Sequence, residues 1–207
     1  MADDCCSIEA ESQEQARVLR LVLVINAAMF VAELVAGLIA QSAGLIADSL
    51  DMLADAAVYG VGLYAVGREA SVKNRAALLS GVLQILLAIG VASEIVRRAY
   101  WGSDPEPLYM IGLGLVALLA NVVCLSLIAK HRTGEVHMRA SWIFSKNDVI
   151  SNACVISAGV LVFILDERWP DLVIGTLIVY VVLRGGISIV SDARRESVAN
   201  VVAGKQA

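Results

Sequence analysis

The chain has 207 residues, 58% of them hydrophobic and only 17% charged, with 5% aromatic and a formal net charge of −4. A mean hydropathy of +0.75 is too apolar for an ordinary soluble domain, which must cover its outside with polar groups. No block rich in Lys and Arg marks a nucleic-acid binder, and no ten-residue alternating strands with aromatic girdles mark a β-barrel.

Residues 1–16 are polar and acidic, and are expected to form a cytoplasmic tail rather than a cleaved signal, because the apolar run that follows is long and has no clear cleavage site. A spanning helix takes about 20 mostly apolar residues. Six such runs follow in order: Arg17–Ile39, Ala43–Val66, Ala76–Tyr100, Leu108–Ala129, Arg139–Leu165 and Pro170–Ser191. The expected fold class is therefore all-α, a polytopic membrane protein of six helices. Gln41-Ser42 separates the first two runs, which predicts a tight hairpin. Gly102 to Pro107 reads as a breaker, and Trp169-Pro170 as the start of the sixth helix. The transport domain is expected over 17–193, and a second cytoplasmic tail over 194–207.

Basic residues predict the orientation. With the N-terminus inside, eleven lie in cytoplasmic segments: Arg17, Arg20, Arg68, Lys73, Arg75, Lys130, Arg132, Arg139, Arg194, Arg195 and Lys205. The outer segments hold three, Arg97, Arg98 and Arg168. Such a bias places both termini in the cytoplasm.

Carboxylates within spans carry the chemistry. Each costs about 2.5–3.5 kcal/mol at mid-membrane on insertion scales, so each is a functional candidate by default. The second run holds Asp48, Asp51 and Asp55, spaced three and four apart and so on one helix face. Like charges stacked in this way need a cation, protons or basic partners. A divalent cation suits Asp51 and Asp55, because carboxylate oxygens are its natural ligands. Asp48 lies nearer the helix end, where a capping role or a proton-neutralised pair is the competing reading. In the fifth run Asp148 and Asn152 are four apart, and could face the second helix as two further oxygen donors. Asn152 reads equally as an interhelical hydrogen-bonding residue, and Asn147 is a weaker substitute. Lys146 should point away from Asp148. Asn26, Gln84, Glu94 and Asn121 read as packing residues, while Glu33 is a candidate proton site. Cys124 and Cys154 read as buried small hydrophobes. Cys5, Cys6, His131 and His137 could gather a metal at the cytoplasmic mouth, although their spacing matches no closed zinc site and plain solvated side chains are the simpler reading.

From Ser42-Ala43-Gly44-Leu45-Ile46-Ala47-Asp48-Ser49-Leu50-Asp51-Met52-Leu53-Ala54-Asp55 and Asn147-Asp148-Val149-Ile150-Ser151-Asn152, set in six spans, the chain resembles the cation diffusion facilitator family. The resemblance implies a membrane transporter, not an enzyme, that exports zinc or a related ion (cadmium, cobalt, iron, manganese) from the cytoplasm in exchange for protons. It further implies an inner-membrane location and a homodimer. The family's zinc site pairs two residues four apart in the second span with a His and an Asp in the fifth. Carried over, Asp51, Asp55 and Asp148 match, while the fifth-span His falls at Phe144. Asn152, or Asn147, is expected to supply the missing donor, which makes the site all oxygen. The family's cytoplasmic dimerisation domain has no counterpart within these residues. The other class of function weighed is a membrane metal-binding sensor or assembly subunit that transports nothing.

Overall fold

The computed structural model describes the backbone of residues 2–65, 70–129 and 136–204, and the side chains of these except 2–12, 15, 62, 65, 70–73, 76, 136–145 and 196–204. Among the described residues there are six helices and no strand: α1 (Ala2–Ile39), α2 (Ala43–Ala65), α3 (Ala70–Trp101), α4 (Pro107–Ala129), α5 (Val136–Leu165) and α6 (Trp169–Gly204). Five of them, all but α2, contain a stretch long and apolar enough to cross a membrane. The exception has a simple cause. Asp48, Asp51 and Asp55 crowd the acidic residues of α2 into one short stretch.

The helices form where the apolar runs predict them, and they break where local chemistry requires it. Between α1 and α2 the chain turns at Gln41, whose φ of 50° is left-handed. Gly102 ends α3 with a φ of 95°, a conformation that glycine adopts without a Cβ clash. α1 and α6 run on as helix into residues expected to be tails, since α1 begins at Ala2 and α6 ends at Gly204.

α2 is the central helix and packs against every other one. Residues Ser42 to Leu50 are buried without interruption. The outer helices instead expose large apolar side chains, among them Val31 and Leu38 on α1, Leu79 and Leu86 on α3, Leu119 on α4, Phe163 on α5 and Leu177 on α6. A soluble protein would bury these, whereas hydrocarbon accepts them. Small residues bring the backbones close, as is usual between helices in lipid. A Cβ on Gly175 of α6 would stand 3.0 Å from the Ala43 backbone of α2. A Cβ on Gly81 of α3 would stand 2.9 Å from Val190 and 3.2 Å from the Gly186 carbonyl of α6.

Candidate metal centre

The start of α2 is fixed from two sides. The Ser42 hydroxyl accepts the Leu45 N–H at 3.1 Å, as a helix N-cap does. Asp171, on the first turn of α6, accepts the Ala43 N–H at 2.6 Å, the Gly44 N–H at 2.8 Å and the Ser42 hydroxyl at 2.7 Å. Three of the otherwise orphaned donors of that helix end are thereby satisfied, and a carboxylate meets the positive end of the helix dipole. Asp171 is fully buried. The sequence alone assigned it no role and offered Asp48 as the helix-end group. The capping reading of Asp48 is thus corrected. Asp171 and Ser42 cap the helix, while neither Asp48 oxygen has a hydrogen-bond partner.

From this anchored end α2 carries Asp51 and Asp55 to its middle, on the face toward α5. There they meet Asp148. Each of the three offers a carboxylate oxygen, and these oxygens lie within 4.8 Å of one another. Oxygens bound to one cation at about 2.0–2.6 Å can be no more than roughly 5 Å apart, so the spacing fits a single ion. Asp55 is 4% exposed and Asp148 3%, while Asp51 is half-buried. Asp55, Asp51 and Asp48 all set negative charge against Asp148.

Two hydroxyl groups orient this triad. Tyr59, one turn beyond Asp55, donates to Asp55 Oδ2 at 3.0 Å. Ser151, three residues beyond Asp148, brings its hydroxyl close to Asp51 across the helix pair. Sequence reading had assigned neither a role, although Tyr59 sits at the i+4 position where such a bond forms. A cavity of about 360 Å³ reaches the triad. Its lining includes Gln84, Asn147, Ser188 and Asp192 besides the three aspartates. Ser188 and Asp192 belong to α6 and had no place in the sequence-based site.

The two asparagines differ. Asn147 is exposed and lines the cavity. Asn152 is fully buried, its amide nitrogen donates to the Asp148 carbonyl at 2.7 Å, and its Oδ1 has no partner. The free atom is thus the carbonyl oxygen, the one able to bind a cation. Lys146 is exposed.

Other intramembrane polar residues behave mostly as packing groups. The Asn26 amide donates to the Val22 carbonyl of its own helix at 2.9 Å, and Gln84 donates across to Val182 of α6 at 2.9 Å. Glu94 pairs with Arg97 and Arg98. Cys124 is buried in the packing of α1, α2 and α4, and Cys154 is half-buried. The side chains of Cys5, Cys6, His137 and Phe144, and residue His131 altogether, lie outside the described residues.

A bundle of apolar helices that encloses three converging carboxylates defines a class, the polytopic membrane proteins with an acidic interior. The family comparison agrees and narrows it. The model of the cation efflux transmembrane domain matches residues 19–196, so the chain belongs to the cation efflux family, whose members carry metal cations across membranes. No curated protein matches the chain.

Proposed function

We propose that this protein exports a divalent transition-metal cation, zinc or one of its relatives, from the cytoplasm in exchange for protons. Asp51, Asp55, Asp148 and the carbonyl oxygen of Asn152 are its ligands. The observation that carries this reading is the convergence of three aspartate oxygens from α2 and α5 within 4.8 Å. An all-oxygen donor set suits cadmium, cobalt, iron and manganese as well as zinc.

On this reading α2 is the sixth span. Its 23 residues reach about 35 Å at 1.5 Å per residue, enough for a hydrocarbon core of about 30 Å. Its aspartates tolerate that depth because they face the bundle rather than lipid. The bias of basic residues supports both termini in the cytoplasm, and the family resemblance supports an inner-membrane homodimer with its transport domain over 17–193.

Coupling follows from ligand chemistry. A carboxylate binds either a proton or the metal through the same oxygen electrons, so filling the site releases protons. The cavity beside Asp51 and Asp55 gives the ion one way in. When the bundle rocks to the opposite side, protons compete for the three carboxylates and expel the ion. Nothing covalent forms or breaks apart from O–H bonds.

The test uses purified protein in proteoliposomes with a zinc-sensitive dye inside and an imposed pH gradient. The wild type should accumulate Zn²⁺ in a gradient-dependent way. Asp55→Ala should insert normally and transport nothing. Undiminished metal-for-proton exchange by Asp55→Ala would defeat the assignment, and binding without flux by the wild type would point to a sensor.

A further inference from the structure

A second pair of carboxyl groups lies outside the triad. Glu33 on α1 is 0% exposed and Asp48 on α2 is 1% exposed. The two side chains stand within hydrogen-bonding reach of each other. Yet none of their four oxygens meets a donor, and none has appreciable surface open to water. Two other buried acids are provided for: Asp171 accepts three hydrogen bonds and Asp55 accepts one from Tyr59, while Asp148 leaves one oxygen unpartnered.

An ionised carboxylate is acceptor-only, so two of them side by side repel and form no bond. One proton between them turns the contact into an O–H···O⁻ hydrogen bond and removes a charge. Among the described residues, the charges that act most on the two groups are carboxylates and none is a lysine or arginine. The charged neighbours that face them are Asp51 of α2, which acts on both, and Asp148 of α5, on which Asp48 acts. A metal ion is a poor alternative. It takes four or more ligands, and among the described residues the cluster of three or more acidic, His or Cys ligands is the triad, which includes neither residue. Neither lines the cavity that reaches the triad.

We propose that Glu33 and Asp48 share one proton, forming a proton-binding site separate from the metal ligands, and that this proton leaves when a divalent cation fills the triad. The proposal rests on the triad being the cation site. Asp48 and Asp51 are three apart on one face of α2, which places their Cβ atoms about 5–6 Å apart. A dication held by Asp51 therefore favours the ionised form of the pair. One O–H bond breaks, its electron pair stays on the carboxylate oxygen, and the proton passes to solvent water. Two positive charges enter and one more leaves than the triad alone would release.

The experiment adds Zn²⁺ to the purified full chain in weakly buffered detergent solution with a pH indicator, and counts bound ions in parallel. Glu33→Gln should bind the same number of ions as the wild type and release about one proton fewer per ion. Asp48→Asn should do the same. Equal proton release by wild type and variants overturns the proposal. Should both variants fail to fold, infrared spectroscopy of the wild type decides. The metal-free protein at neutral pH should show a protonated-carboxyl carbonyl band that Zn²⁺ removes, and its absence overturns the proposal. A wild type that binds no Zn²⁺, Cd²⁺ or Mn²⁺ refutes the reading of the triad instead. The metal-free infrared band, compared with that of Glu33→Gln, then settles whether the pair holds a proton.

Discussion

The hydroxyl of Ser42 donates to Asp171 Oδ1 at 2.7 Å, joining the turn before α2 to the first turn of α6 across 129 residues of sequence. The same carboxylate holds the first two N–H groups of the helix that carries Asp51 and Asp55. A group this far from the cation site thus sets the starting point of the site's main helix. Asp171→Asn should lower stability by about 2 kcal/mol, since bonds to a buried charge are worth roughly 1.5–3 kcal/mol each and Asn keeps one acceptor. The midpoint of thermal unfolding in detergent measures this. An unchanged midpoint would show that the cap contributes nothing.

Tyr59 offers a cleaner probe of the triad. Its side chain is buried with Leu19, Val22, Cys124 and Ile128, so Tyr59→Phe keeps the packing and deletes only the hydroxyl that orients Asp55. Loss of an outer hydrogen bond to a ligand typically weakens metal binding roughly 10–100-fold. We expect the low end of that range, with little change in unfolding. A calorimetric titration with Zn²⁺ that gave wild-type affinity would remove Tyr59 from the site.

Acidity should weaken cation binding, and the sign follows from competition for the same oxygens. A proton on Asp51, Asp55 or Asp148 removes a ligand charge, so affinity falls as pH falls. For each proton displaced per ion the dissociation constant should rise about tenfold per pH unit. Titrations at several pH values check the slope. A pH-independent affinity would mean that the carboxylates are not the ligands.

Position 144 precedes Asp148 by one helical turn on α5. Phe144→His would supply the nitrogen donor that the family resemblance implies at this position. Imidazole favours zinc over manganese relative to an all-oxygen set. The ratio of Zn²⁺ to Mn²⁺ affinity should therefore rise in this variant, and competition binding with the two ions measures it. A ratio equal to that of the wild type would place residue 144 away from the cation.

The helices were legible because lipid imposes one rule, an apolar stretch of sufficient length, and the breakers at Gln41-Ser42 and Gly102–Pro107 stand out against it. Asp51, Asp55 and Asp148 stood out for the converse reason, as charges where charge is costly. The facing of α2 and α5 was a guess from helical spacing, and only the fold brings those oxygens together. What the sequence hid were relations between distant residues. Asp171 reads as an ordinary acid at the start of the sixth run until α6 meets α2. Glu33 reads as a candidate proton site and Asp48 as a helix-end carboxylate, and nothing in their spacing joins the two until α1 packs beside α2. Tyr59 reads as an apolar filler, and Asp192 as part of a solvated helix end, because neither announces the cavity or carboxylate beside it.

Because α2 touches every other helix, its length is as constrained as its composition. Each residue advances an α-helix by about 100°. One residue inserted or deleted between the turn at Ser42 and Asp51 would swing both aspartates a quarter-turn or more away from Asp148, and no neighbour could follow without abandoning its own partners. Substitutions among these eight positions leave the aim of the helix intact. A frame slip does not, so natural variation in this stretch should consist of exchanges of side chain and never of changes in count.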